Sequence, residues 1–239
     1  MKKSLLLILA VFAFTYANAQ GFRIGVKGGG NYSGLNGADS DQAELYYGNQ
    51  RFAGEAKYKY GYHIGLTTLY EFDDFWGIKT DVLYTTKGFQ IEGSTSSTDP
   101  GNPGGTVNQE TKRTFNYFSV PVLLHINTGN LFFEFGPEIS YMAASHGEIK
   151  RDEKRANGET IDNSKFKEEK QISKEDLSST DVGMAFGLGY MTDGGLGIGL
   201  RYSTGFTSIY PDDKAGPEEP IVKNSTFMLS LSYMFGGGN

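Results

Sequence analysis

At 239 residues with a formal charge of −6, no cysteine and no stripe of basic residues, the chain excludes disulfide scaffolds and thiol catalysis and argues against a nucleic-acid partner. Its 33 glycines, 15 tyrosines and 17 phenylalanines against 7 prolines point to a β-protein with many turns and aromatic belts. No segment beyond the first residues approaches the length of a membrane-spanning helix, which excludes a helical membrane protein but not one that crosses with strands.

Lys2 and Lys3, the apolar run 5–14 and the small residues Ala17-Asn18-Ala19 read as a signal peptide over residues 1–19, leaving one domain over 20–239. The apolar run is too short for a membrane anchor. The absence of cysteine after the cleavage site excludes lipidation there.

The first run, 22–32, alternates Phe22, Ile24, Val26 and Tyr32 with Arg23, Lys27 and Asn31. Its Gly25, Gly28 and Gly30 resemble a nucleotide loop only faintly, since no helix follows to present its N-terminus to phosphate. The second run, 58–70, sets Tyr60, Tyr62, Ile64, Leu66 and Tyr70 against Lys59, His63 and Thr67. A turn at 71–74 leads to the third, which carries Trp76, Ile78, Val82 and Tyr84 on one face and Lys79, Asp81, Leu83 and Lys87 on the other. The fourth, 115–126, opposes Phe118, Val120, Val122 and Leu124 to Tyr117, Ser119, Leu123 and His125, with Pro121 predicting a bulge or a local break. After the turn 127–130, the fifth, 131–142, opposes Phe133, Phe135, Ile139 and Tyr141 to Glu134, Glu138 and Ser140.

The sixth, 181–190, alternates Val182, Met184, Phe186, Leu188 and Tyr190 with Asp181 and small residues. The seventh, 196–206, alternates Leu196, Ile198, Leu200 and Tyr202 with Gly197, Gly199, Arg201 and Ser203. The last, 226–235, places Phe227, Leu229, Leu231, Tyr233 and Phe235 opposite Met228, Ser230, Ser232 and Met234. Side chains alternate faces along a strand, so each run has one apolar face and one polar or small face. Between the runs, polar segments near 33–57, 92–113, 143–178 and 207–224 read as loops, the third dense in Lys and Glu.

The eight runs, joined by connections alternately long and short, predict an all-β, eight-stranded antiparallel transmembrane β-barrel with short periplasmic turns and longer external loops. A lipocalin-like barrel would turn its apolar face inward. Here charges share the face opposite the aromatic one, so the apolar face belongs outside. Eight strands leave an interior that side chains fill, so Arg23, Lys27, His63, Lys79, Asp81, Lys87, Glu134, Glu138, Asp181 and Arg201 are expected to form a polar plug.

Several segments resemble the PorT-type outer-membrane β-barrels of Bacteroidetes: Phe22-Arg23-Ile24-Gly25-Val26-Lys27-Gly28-Gly29, Asp81-Val82-Leu83-Tyr84-Thr85-Thr86-Lys87-Gly88, Asn116-Tyr117-Phe118-Ser119-Val120-Pro121 and Arg201-Tyr202-Ser203-Thr204-Gly205. The resemblance covers nearly the whole mature chain in order. It implies an outer-membrane location, a barrel fold, and an acid where this chain has Ser119. One namesake is tied to a secretion system, but a role does not follow from a fold.

Three histidines, His63, His125 and His146, with Ser119 and Ser140 on different runs, offer the only enzyme-like chemistry, and no G-x-S-x-G elbow is present. Asp39/Asp41 and Asp212-Asp213 lack the form of a calcium loop. The expectation is therefore an outer-membrane barrel with a structural or surface-binding role, assisting an envelope or secretion complex. It has no catalytic, cofactor-binding or metal residue, and its partners are membrane lipids and envelope proteins met by the external loops. The alternative is a membrane-embedded acyl-chain enzyme. Arginine on the apolar face, at Leu229, Leu231 or Val122, is expected to damage assembly, and arginine at Ser230 or Ser232 to be milder if the lumen has room.

Overall fold

The computed structural model describes residues 21–36, 44–47, 50–97, 99–161, 166–171, 177–209 and 222–235. The signal-peptide segment, both aspartate pairs and most of the last loop fall outside them. The described residues form ten strands: β1 Phe22–Asn36, β2 Glu44–Tyr47, β3 Gln50–Glu71, β4 Trp76–Ser96, β5 Thr106–Thr128, β6 Leu131–Lys154, β7 Phe166–Gln171, β8 Thr180–Met191, β9 Leu196–Gly205 and β10 Lys223–Phe235. Eight of them close a ring in the order β1-β3-β4-β5-β6-β8-β9-β10, every neighbour antiparallel, with β10 returning to β1. β2 pairs with β3, and β7 with β6, outside the ring.

Face assignment follows the predicted alternation. In β10, Phe227, Leu229, Leu231, Tyr233 and Phe235 are exposed on the outer wall, while Met228, Ser230, Ser232 and Met234 are buried inside. The apolar outer face is what lipid requires, and a closed ring leaves no unpaired edge within the bilayer. Aromatics gather at both margins of that wall. Tyr62, Tyr84 and Phe118 form a contact series at one end, and Tyr70–Phe72, Phe75–Trp76 and Tyr233–Phe235 lie at the other.

The short turns are tight for identifiable reasons. Asp73 Oδ1 accepts from the backbone N–H of Phe75 and Trp76, at 2.8 and 2.7 Å. Gly129, at φ +80°, makes the two-residue link between Thr128 and Leu131. Pro121 acts as expected: the β4–β5 ladder skips Asp81 and Val82 opposite Pro121 and Val120, then resumes in the same register.

The predicted loops need correction. Residues 92–113 are mostly strand: β4 and β5 stay paired to Ser96↔Thr106, leaving only a turn at 97–105. Within 143–178, β6 continues to Lys154 and β7 pairs against it from His146↔Gln171 to Arg151↔Phe166. Within 33–57, β1 reaches Asn36 and β3 begins at Gln50. These stretches rise above the bilayer, where an outer face meets water, so the apolar alternation that marks a membrane strand disappears while the backbone ladder persists. β3–β6 thus run 21–24 residues against 10–13 in β8–β10, and with β7 they form a sheet extension, the apron, beyond the membrane.

Candidate functional site

The lumen holds the predicted charged plug. Four cations, Lys27, Lys79, Lys87 and Arg201, and four carboxylates, Asp81, Glu134, Glu138 and Asp181, are buried there. Arg201 is the hub: Nη1 donates to Asp81 Oδ2 at 2.7 Å and Nη2 to Glu134 Oε2 at 2.9 Å. Lys27 reaches the same Asp81 oxygen at 3.0 Å, and Lys79 reaches Glu134 Oε1 at 2.6 Å. A second group lies toward the apron. Lys87 donates to Glu138 at 2.9 Å and stands 3.7 Å from Asp181, while Ser203 and Asn224 donate to Glu138 and Asp181. Burying a charge without a partner costs several kcal/mol; eight charges of balanced sign meet that requirement together. Arg23 belongs to the rim, paired with Glu71 at 2.7 Å.

Two apolar layers bracket the plug. Leu69, Phe132, Met191 and Met234 lie at the end with the short turns, and Lys79 packs 4.7 Å over Phe132. Phe89, Ile91, Phe115, Tyr117 and Met142, with Leu177, Ile209 and Val222, lie at the other, and Lys87 packs 5.3 Å over Tyr117.

The histidines are not gathered into one site. His125 Nδ1 stands 3.5 Å from Glu134 Oε1, its ring tilted against Phe132. His146 pairs with Gln171 at the start of the β6–β7 ladder. Ser119 and Ser140 do meet, at 2.7 Å, and their neighbours are Glu138 and Lys87.

His63 forms a cluster that sequence reasoning missed. Asn31 Nδ2 donates to the carbonyls of Tyr62 and Thr86, both at 3.0 Å, which fixes Oδ1 toward the ring. His63 Nδ1, 2.6 Å away, must then carry a proton and donate it to Oδ1. Nε2 of the neutral ring accepts, so the Ser230 hydroxyl donates to it at 2.9 Å. Gly29 makes room for this, since a Cβ there would lie 2.9 Å from His63 Cε1. Asn31 and Ser230 share inward parity with His63, the one sequence signal that could have grouped them. The pairing of His63 with Ser230 across 167 residues was not readable.

Above the membrane, the apron's outward face is a lattice of charges. Lys57 donates to Glu92 at 2.6 Å, Lys112 pairs with Glu110 and Lys150 with Glu148, both at 2.8 Å, and Asn108 donates to Asp152 at 3.1 Å. The hydrogen bonds from Lys57 and Lys150 hold the Glu92 and Glu148 carboxyls below their ordinary range. Among the described residues, no group of His, Asp and Glu side chains is arranged to hold a metal ion.

A closed ring with an apolar outside, two aromatic margins and a sealed polar interior defines an integral β-barrel of the outer membrane. The family comparison agrees: residues 18–210 match the model described as the outer membrane protein beta-barrel domain, and the chain belongs to that family. A comparison with curated proteins finds no match. Solved structures similar to this chain include Ail, the attachment invasion locus protein of Yersinia pestis, at 15% identity over 90% of this chain and 99% of that one, with a TM-score of 0.36. Neisserial surface protein A is 8% identical over 89% and 97% of the two chains, with a TM-score of 0.37. The outer membrane protease OmpT from Escherichia coli is 8% identical over 90% and 97%, with a TM-score of 0.38.

Proposed function

We propose that this is a non-conducting outer-membrane barrel of PorT type whose work is done by the apron, as a rigid platform for an envelope or secretion-complex protein. One observation carries the reading: the lumen is filled by paired charges between two apolar layers, while an ordered sheet continues well past the membrane. Binding residues commonly sit beyond a rigid scaffold in this way. The β6–β7 hairpin is the contact region, because β7 has β6 as its only strand neighbour among the described residues. A strand with one such side is a template for adding another. Two measurements test this. Planar-bilayer recordings should show no large, stable conductance, and a porin-like step would reject the plug. Removing residues 155–171 should preserve insertion but abolish partner capture in a cross-linking pull-down; an unchanged set of captured proteins would reject the hairpin.

The acyl-chain enzyme reading has one observation in its favour, the Ser230–His63–Asn31 series, whose proton arrangement is that of a serine with its general base and orienting group. Among the described residues, the void that Ser230 lines leaves no room for an acyl chain. The void beside Ser230, about 10 Å³, is the size of one water. A serine-directed fluorophosphonate should leave Ser230 unmodified in the folded barrel, and labelling that disappears in His63→Ala would restore the enzyme reading.

A further inference from the structure

The apron contains a groove of about 930 Å³, lined chiefly by outward residues including Lys57, Glu92, Asn108, Glu110, Lys150 and Lys167, with Arg151 and Phe166 of the opposite parity also in its lining. We propose that it binds the anionic saccharide headgroup of a glycolipid in the outer leaflet of the membrane. This goes beyond the partner reading: the groove shares Lys150, Arg151, Phe166 and Lys167 with the β6–β7 hairpin but uses their side chains, whereas the partner is read by the backbone edge of β7.

Position is the first argument. Along β4 the outward parity runs unbroken from Tyr84 to Glu92, eight residues further, and along β5 from Phe118 back to Glu110, again eight. With the rise and tilt of barrel strands, this sets the groove about 20 Å above the aromatic margin. A groove there, turned away from the barrel axis, faces the sugar layer of the surrounding lipids.

Charge is the second. Five cationic residues and three carboxylates line the groove, a positive excess within a chain of net charge −6. Lysine ammonium groups suit phosphate, while carboxylates and the Asn108 amide suit sugar hydroxyls. The Lys57–Glu92 pair is itself exposed, with side chains 45% and 43% accessible, so an incoming phosphate can exchange for the carboxylate at little cost. Shape is the third. The volume is that of a ligand cleft rather than of a single ion, and the exposed ring of Phe166, under the Arg151 guanidinium at 5.7 Å, offers a sugar ring an apolar face at the groove edge.

The test uses the full barrel in phosphatidylcholine nanodiscs, titrated with delipidated, phosphorylated lipopolysaccharide core oligosaccharide. Binding should weaken with added salt and fall by about tenfold or more in a Lys57→Glu/Lys150→Glu/Lys167→Glu variant, and survive when the same lysines become arginine. Heat-modifiable gel migration confirms that each variant remains a barrel. Equal affinity in the charge-reversed barrel, or no binding by the native one, would overturn the proposal. Displacement of the oligosaccharide by an equal concentration of inorganic phosphate would reduce the site to a bare anion site and reject the saccharide. A Lys57→Glu variant, which changes no residue of β6 or β7, should weaken oligosaccharide binding with partner capture intact, and so separates this site from the β6–β7 hairpin.

Discussion

Strand β4 crosses two environments on one continuous backbone. From Trp76 to Tyr84 its outward side chains include Trp76, Ile78 and Val82, and its inward ones include Lys79 and Asp81. From Phe89 to Ser94 the outward side chains are Gln90, Glu92 and Ser94, while Phe89 and Ile91 are buried inside. The polarity of the wall inverts, yet the ladder to β5 keeps its register from Leu83↔Ser119 to Ser96↔Thr106. Below the inversion lipid is the solvent and the interior must carry the polar groups; above it water is the solvent and the interior can be apolar. Backbone pairing is indifferent to that exchange, whereas side-chain choice follows it.

The largest expected effect comes from breaking the lower interior. Arg201→Ala leaves Asp81 and Glu134 without their shared partner, and should cost about 3–5 kcal/mol, read as a lower urea midpoint for unfolding from vesicles. Next is the lower exterior: Leu231→Arg, on the lipid face, should cost roughly 2–4 kcal/mol by the same measurement. Arginine at Ser230 was expected to be milder given a roomy lumen, but its hydroxyl is engaged by His63 beside a void of about 10 Å³. Ser230→Arg should therefore impair assembly as much as Leu231→Arg does. A clearly milder outcome would show that the lumen can open.

The upper interior should be less sensitive. Ile91→Ser replaces a buried apolar contact and should cost about 1–3 kcal/mol, while the neighbouring Glu92→Gln, facing water, should cost about 1 kcal/mol or less. Equal costs at the two positions would contradict the inversion. The smallest effect is one of pH. Glu92 is held below its ordinary value of 4.5 by Lys57, so its contribution is present above that value and is lost as pH falls through the depressed one. Acidification from about pH 6 to about pH 3 should lower the hydrogen-exchange protection factors of the amides of residues 90–93, taken relative to the intrinsic exchange rate at each pH, before those of the lipid-embedded staves.

The membrane part was legible because lipid imposes one rule on every strand. The alternation Leu229, Leu231, Tyr233 against Ser230 and Ser232 states strand, face and environment at once. All the charged residues assigned inward in the plug lie at the lumen or its rim. The apron was not legible, because Glu92, Ser94, Asn108 and Lys150 have the composition of a loop, and only their cross-strand partners reveal them as strand. The partners of Asp81 and Glu134 were equally hidden. Arg201 lies 120 residues from Asp81, and a single sequence carries no record of which opposite charges meet.

The seam between β1 and β10 has a kinetic consequence. It joins the first and last staves over thirteen paired positions, and the Ser230–His63 bond ties β10 to β3 across it. Contacts so remote in sequence bring no stabilisation until most of the chain's loop-closure entropy has been lost, so ring closure should be the slow, late step of insertion. Until then both terminal staves expose unsatisfied edges, and afterwards neither does. In a vesicle-insertion time course, the compact gel band should therefore appear in a single slow phase that lags the gain of β-type circular dichroism.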